Sequence, residues 1–184
     1  MPESSGFRIE HVSLSDLREW PGNPKLHDFD AIDRSIERFG FVQPLLIDER
    51  SGKMVAGHGR LATLMQMRDA GRPAPARIEL RDGEWYVPVI RGIAFNSEAE
   101  AQAYLLADNR LVEKGGWDDE KLTTMLRELT EASVEVPGWS ADELMPYVED
   151  PTLGNAMDLA PDAPPPVGSH LIGQRVCPKC GHKF

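Results

Sequence analysis

Residues 54–61, Met-Val-Ala-Gly-His-Gly-Arg-Leu, oblige a strand to hand over to a helix within a few residues. Lys53 to Ala56 reads as a short strand, and Leu61 opens a helical pattern that runs to Ala70 and is closed by Gly71. Between them Gly57 and Gly59 let the backbone turn sharply and let another group approach closely. A helix that opens at such a junction presents unpaired N–H groups and the positive end of its dipole. Arg60 adds a fixed charge with fork geometry suited to phosphate. The local pattern is equally that of a tight turn carrying a surface arginine.

The flanking sequence supplies further strands and helices, so the expected class is α/β, a mixed α+β arrangement. Phe7, Ile9 and Val12 suggest a first strand, and Ser13 or Ser15 is placed to cap a short helix through Trp20. Ile32, Ile36 and Phe39 lie on one face of a helix from Asp28 to Phe39, with Gly40 at its C-terminal glycine position. Leu45 to Asp48 pairs naturally with Lys53 to Ala56 around Ser51-Gly52, and Arg77 to Leu80 with Trp85 to Val89 around Asp82-Gly83. Ser97 and Glu100 have capping-box spacing for a helix to about Ala107, and Ser140 and Glu143 repeat it before Asp142 to Val148. Asp118 to Thr130 is a further helix, and Trp117 and Trp139, each ahead of a helix, are expected to anchor it to the core. His11 and His27 stand alone and suggest no role.

Composition bounds the rest. The 184 residues carry 30 acidic and 20 basic side chains, a formal charge of −10, and 41% apolar residues. That is enough apolar content for a core and too much negative charge for a protein that coats nucleic acid by bulk electrostatics. No segment has the length and hydropathy of a membrane span, and the N-terminus lacks the features of a signal peptide, so the expectation is a cytoplasmic chain without membrane contact. Past Asp150 the sequence turns proline-rich. Residues 150–169 read as a linker between a domain at 1–149 and a tail at 170–184. In the tail, Cys177-Pro178-Lys179-Cys180-Gly181 has the form of one zinc knuckle, with His170 and His182 available to complete four ligands, or a second chain's cysteine pair.

Two established phosphate motifs compete for the glycine junction. No glycine is followed four residues later by Gly-Lys-Ser/Thr, which removes the P-loop. Gly57, Gly59 and Ala62 do fit G-x-G-x-x-A, and Glu79 falls near the position of a ribose-binding acid. That fingerprint opens a βαβ unit with a parallel second strand. Here a hairpin-like strand comes before it and the proline-rich Arg72–Arg77 segment after it.

Four stretches in order resemble the N-terminal domain of the ParB/sulfiredoxin superfamily, often labelled "ParB-like nuclease domain". They are Trp20-Pro21-Gly22-Asn23-Pro24-Lys25, the segment from Ile32 through Gly40 to Gln43-Pro44-Leu45, Val55-Ala56-Gly57-His58-Gly59-Arg60, and Leu105-Leu106-Ala107-Asp108-Asn109-Arg110. The Gly-His-Gly-Arg box and Ala-Asp-Asn resemble the phage and prophage type, some of which accompany DNA methyltransferases. The resemblance spans about residues 7–148. It implies a small mixed sheet with packed helices that binds a nucleoside triphosphate, CTP or ATP, with Mg²⁺. It places Gly57, His58, Gly59 and Arg60 around the phosphates and Gln43 near the nucleotide. Asp108 and Asn109 would stand near the phosphates and Mg²⁺, with His58 and Asp108 as the candidate catalytic groups. His58 stands where partition proteins have glutamate and sulfiredoxin has its cysteine, which excludes sulfinic-acid reduction. Gly59 stands where the family box has arginine. About forty residues follow Asn109 before the linker, too few for a full helix-turn-helix module.

The expected function is therefore Mg²⁺-dependent nucleoside triphosphate binding with hydrolysis or phosphoryl transfer, in a phage or mobile-element DNA process. DNA, DNA-modifying enzymes and a second copy of the chain are the expected partners beyond the nucleotide. The alternatives are a non-enzymatic adaptor switched by nucleotide and a metal-dependent nuclease.

Overall fold

The computed structural model describes residues 6–149. The expected linker at 150–169 and the knuckle ligands His170, Cys177, Cys180 and His182 lie outside the described residues. Described are β1 (Arg8–Ser13), a 3₁₀ turn (Leu14–Asp16), α1 (Phe29–Phe39), β2 (Leu45–Asp48), β3 (Lys53–Ala56) and α2 (His58–Asp69). They are followed by β4 (Glu79–Arg81), β5 (Glu84–Ile93), α3 (Glu98–Lys114), α4 (Asp119–Glu131) and α5 (Ala141–Glu149).

The long β5 organises one mixed five-stranded sheet. One edge pairs antiparallel with β1 from Arg91 to Tyr86. The other edge carries β4, antiparallel, over Glu84 to Tyr86, and then β2, parallel, from Val89 to Ile93. Pro88 falls between the β4 and β2 pairings, where a missing N–H costs the sheet least. β3 pairs antiparallel with β2 at the far side. The short reverse connections are those the turn residues dictate: Asp82 and Gly83 both adopt positive φ, 51° and 83°, as a two-residue hairpin loop requires. The region after α2 therefore returns as a hairpin, not as the parallel strand of a dinucleotide fold. Glu79, the candidate ribose acid of that fold, lies in β4 and meets His11 Nδ1 of β1 at 3.3 Å across β5.

Alternation along β2 and β3 builds two apolar layers. Leu45, Ile47 and Met54 point to one face, with Ile36 of α1 and Leu61, Leu64 and Met67 of α2. Leu46 and Val55 point to the other, with Trp20 and with Ala101 and Leu105 of α3. A sheet covered on both faces explains why β2 is buried at all four positions. The helix starts follow the sequence signals. Asp28 accepts the Ala31 N–H at 2.9 Å, Ser97 accepts that of Glu100 at 3.1 Å, and Ser140 and Glu143 cap each other reciprocally.

Three expectations change. The short helix expected through Trp20 is only a 3₁₀ turn, Leu14–Asp16, capped by Ser13. α3 does not stop near Ala107 but continues to Lys114, ending where Gly115-Gly116 interrupts it. Asp108 and Asn109 thus stand within a helix and not at its end. Trp117 is not anchored in the core; it is 72% exposed and packs edge-on to Trp139, 6.5 Å away, which in turn meets Tyr147 at 5.5 Å. The aromatic contacts made by these two tryptophans join the segments around α4 and α5.

Asp48, fully buried at the end of β2, ties two connections together, the β2–β3 turn and the segment between β5 and α3. Its carboxylate accepts the N–H groups of Arg50, Ser51 and Phe95 at 3.3, 3.1 and 3.0 Å. Burial works against the charge, but the Ser51 hydroxyl and these backbone donors outweigh it and hold the carboxyl below its ordinary value. The folded-state value is depressed, so Asp48 contributes stability above the unfolded-state value of about 3.9 and loses it as pH falls through the folded-state value. Urea unfolding of the wild type and Asp48→Asn is expected to differ by about 2–4 kcal/mol near neutrality, with the gap narrowing in acid. A gap independent of pH would refute the assignment.

Candidate functional site

At the junction of β3 and α2 the backbone does what the glycine pair requires. Gly57 is the N-cap of α2 at φ +97°, a conformation that L side chains rarely adopt. A β-carbon there would also stand 2.5 Å from Leu45 Cδ2 and 3.1 Å from Arg60 Nη2. Gly59 serves a different purpose. A β-carbon at Gly59 would lie 2.8 Å from Ile32 Cδ1 and from His27 Nδ1. The missing side chain admits the His27 ring against the first turn of α2.

The junction forms one wall of a cleft of about 420 Å³. Gln43, Gly57, His58, Gly59 and Arg60 line it together with Asp108 and Asn109 of α3. Every residue expected at the nucleotide thus lines one concavity, although α2 and α3 pack on opposite faces of β2 and β3. A smaller, more apolar pocket of about 270 Å³ adjoins it, sharing Ile32, Gln43 and Arg60 and reaching Phe41 and Val42.

Arg60 is half-buried, and its partners are neutral. Nη1 donates to Gln43 Oε1 at 2.5 Å and Nη2 to the Pro44 carbonyl at 3.3 Å, while the buried Nε has no partner. Among the described residues it forms no ion pair, whereas Arg72 and Arg91 each bind carboxylates. Burial lowers its pKa and the charge of Asp108 opposes that shift. A guanidinium desolvated without a counter-charge is costly unless an anion completes it.

His58 is 8% exposed, and its Nε2 accepts the Trp20 N–H at 3.2 Å. Burial and then His27 lower its pKa, so the ring is held neutral with its proton on Nδ1. The imidazole thereby fastens the Trp20 segment to the start of α2. Across the cleft, Asp108 is exposed and Oδ1 accepts a long 3.4 Å bond from the Tyr104 hydroxyl. Asn109 donates Nδ2 to the Leu105 carbonyl at 2.8 Å, which leaves its amide oxygen as the side chain's remaining ligand atom.

Sequence reasoning missed two contributors. Lys25 and His27 both line the cleft, Lys25 through an ion pair to Glu113 of α3 at 2.6 Å. A signal was present in Asn23-Pro24-Lys25, whose proline halts regular structure just ahead of the Asp28 cap. Nothing local says that this connection folds over Gly59. Among the described residues no three His, Cys, Asp or Glu side chains converge as a metal centre, and no helix is long and apolar enough to cross a membrane.

No family model matches the chain. It is 34% identical over 61 residues to the ParB-like nuclease domain-containing protein YnaK of Escherichia coli (strain K12), a match covering 32% of this chain and 69% of that protein. Among solved structures it is similar to the C-terminally truncated chromosome-partitioning protein ParB from Caulobacter crescentus complexed with CTP-γ-S. That match has 17% identity and a TM-score of 0.46, covering 76% of this chain and 69% of the other. A Pnob8-like ParB-N domain matches at 16% identity and a TM-score of 0.39, covering 70% of this chain and 49% of the other.

Proposed function

The chain belongs to the ParB-like nuclease domain family, and from that premise we propose that its cleft binds a nucleoside triphosphate together with Mg²⁺. The observation that carries this reading is Arg60, a half-buried cation held by two neutral acceptors and facing a cleft. A polyphosphate supplies the negative charge that Arg60 lacks, and the first turn of α2 supplies backbone N–H groups to it.

The opposite wall supports the Mg²⁺ part of this reading. Asp108 and Glu113 line the same cleft, so a polyphosphate set between α2 and α3 would face carboxylates. A hard cation that takes one or two protein oxygens and otherwise binds phosphate relieves that repulsion. Asp108 and the amide oxygen of Asn109 fit such a role. Bound there, Mg²⁺ would neutralise charge on the phosphates and polarise them toward attack. Gln43 holds Arg60 in place, and His58 anchors the junction by its bond to Trp20.

Hydrolysis or phosphoryl transfer, and a setting in phage or mobile-element DNA metabolism, extend this reading. A nucleotide switch without turnover is the second form of it. The nuclease reading draws on the family label, but among the described residues no three His, Cys, Asp or Glu side chains are grouped so as to hold a metal ion for it.

The test is equilibrium binding and product analysis with CTP, ATP, GTP and UTP, with and without Mg²⁺. We expect Mg²⁺-dependent binding of at least one of them. Binding of none would overturn the proposal. Release of phosphate would establish turnover, and Mg²⁺-dependent cleavage of plasmid DNA abolished in Asp108→Ala would favour the nuclease.

A further inference from the structure

We propose that His27 is a phosphate-binding residue of this cleft and takes up a proton when a polyphosphate binds. The inference rests on the nucleotide reading above and adds to it a residue and a pH dependence.

The geometry begins with Gly59. The β-carbon this residue lacks would lie 2.8 Å from His27 Nδ1 and 2.9 Å from Cγ, so the imidazole occupies the space a side chain would take at the opening of α2. His27 Nε2 is buried and has no hydrogen-bond partner. The same holds for Arg60 Nε in the same cleft. Buried polar atoms are seldom left unpaired, and two in one cleft mark a place completed by a ligand. The ligand must suit a guanidinium and an imidazole together, which is the chemistry of an oxyanion.

The groups around the imidazole set the direction of the proton linkage. Its own segment brings Lys25, and the preceding chain brings Glu19. α2 brings Arg60 and the neutral His58. α1 brings the ring of Phe29 at 6.0 Å and the apolar Ile32. α3 faces the cleft with Asp108 and Glu113, the latter paired with Lys25. Burial, Lys25 and Arg60 push the His27 pKa down, and Glu19 opposes them. The free imidazole is therefore neutral near neutral pH. A bound polyphosphate reverses the local field and favours the imidazolium, which donates Nε2–H to a phosphate oxygen; the proton comes from solvent. Because binding raises the pKa, affinity is greatest below the free-state value and falls as pH rises through the bound-state value.

The experiment uses the full chain and tripolyphosphate with Mg²⁺, titrated calorimetrically from about pH 5.5 to about pH 8.5, the range in which histidine changes charge. The ionisation of tripolyphosphate is common to all proteins compared. Wild-type affinity is expected to fall with pH more steeply than that of His27→Gln, by at most about tenfold more per pH unit, the limit for one linked proton. In wild type, the ¹⁵N resonances of the His27 ring are expected to titrate at higher pH with ligand than without, a readout that needs no variant to fold. Superimposable pH profiles, or an unchanged His27 titration, would overturn the proposal while leaving the cleft intact if Arg60→Ala still weakened binding. Failure of wild type to bind tripolyphosphate or any nucleoside triphosphate at any pH would overturn this proposal and the nucleotide reading together.

Discussion

Arg60→Ala is expected to weaken Mg²⁺–nucleoside triphosphate binding by about 10- to 100-fold, the range for losing one or two charge-assisted hydrogen bonds. The same change should leave the urea midpoint unchanged or slightly raised. In the free protein the guanidinium is half-buried and bonded only to the neutral Gln43 and Pro44 oxygens, so its removal relieves a desolvated charge. Opposite signs in affinity and stability separate a binding residue from a scaffold residue. Arg60→Lys should recover part of the affinity, since it keeps the charge and loses the fork. If Arg60→Ala lowered stability markedly and left affinity untouched, the residue would be structural and the polyphosphate reading would lose its support.

Gly57→Ala is expected to cost about 2–4 kcal/mol of unfolding free energy, from left-handed backbone strain and overpacking together. The backbone stands at φ +97°, and the new β-carbon would meet Leu45 Cδ2 at 2.5 Å in a residue that is itself fully buried. Gly52→Ala is the natural control. Gly52 also has positive φ, +68°, but a β-carbon there would meet nothing within 4 Å, so only the strain of about 1–2 kcal/mol should appear. The difference between the two, read from urea unfolding, isolates the packing cost. Gly57→Ala should also weaken nucleotide binding, because the same β-carbon presses on Arg60 Nη2 at 3.1 Å. Equal destabilisation by the two substitutions would show that Gly57 is kept for its backbone conformation alone.

Local chemistry makes most of the fold legible. The Asp82-Gly83 turn and the alternation of Leu45 to Asp48 against Lys53 to Ala56 reproduce the hairpins, because tight turns and pleat are set by residues in sequence contact. The helix starts at Asp28, Ser97 and Ser140 are legible for the same reason. Helix length is harder. Asp108 and Asn109 have weak helical preference, and their helix persists because Ala101 and Leu105 pack on the sheet and Asn109 bonds back to Leu105. Trp117 misleads because a large apolar residue before a helix suits a core, whereas here it packs on Trp139.

The site divides the same way. Gly57 to Arg60 lie together in sequence and are readable as a phosphate-facing junction. His27 is not, because its contact with Gly59 joins residues more than thirty positions apart and leaves no periodic trace. The purpose of Gly59 is likewise hidden: the absent side chain makes room for a ring from another segment.

The most direct test of the central claim is amide chemical-shift mapping of the full chain with a nucleoside triphosphate and Mg²⁺. The account predicts saturable shifts at Gly57 to Leu61, at Gln43 and around Asp108 and Asn109, with the α4–α5 segment far less affected and the response reduced in Arg60→Ala. Saturable shifts centred elsewhere, or none with any of the four nucleotides, would contradict it.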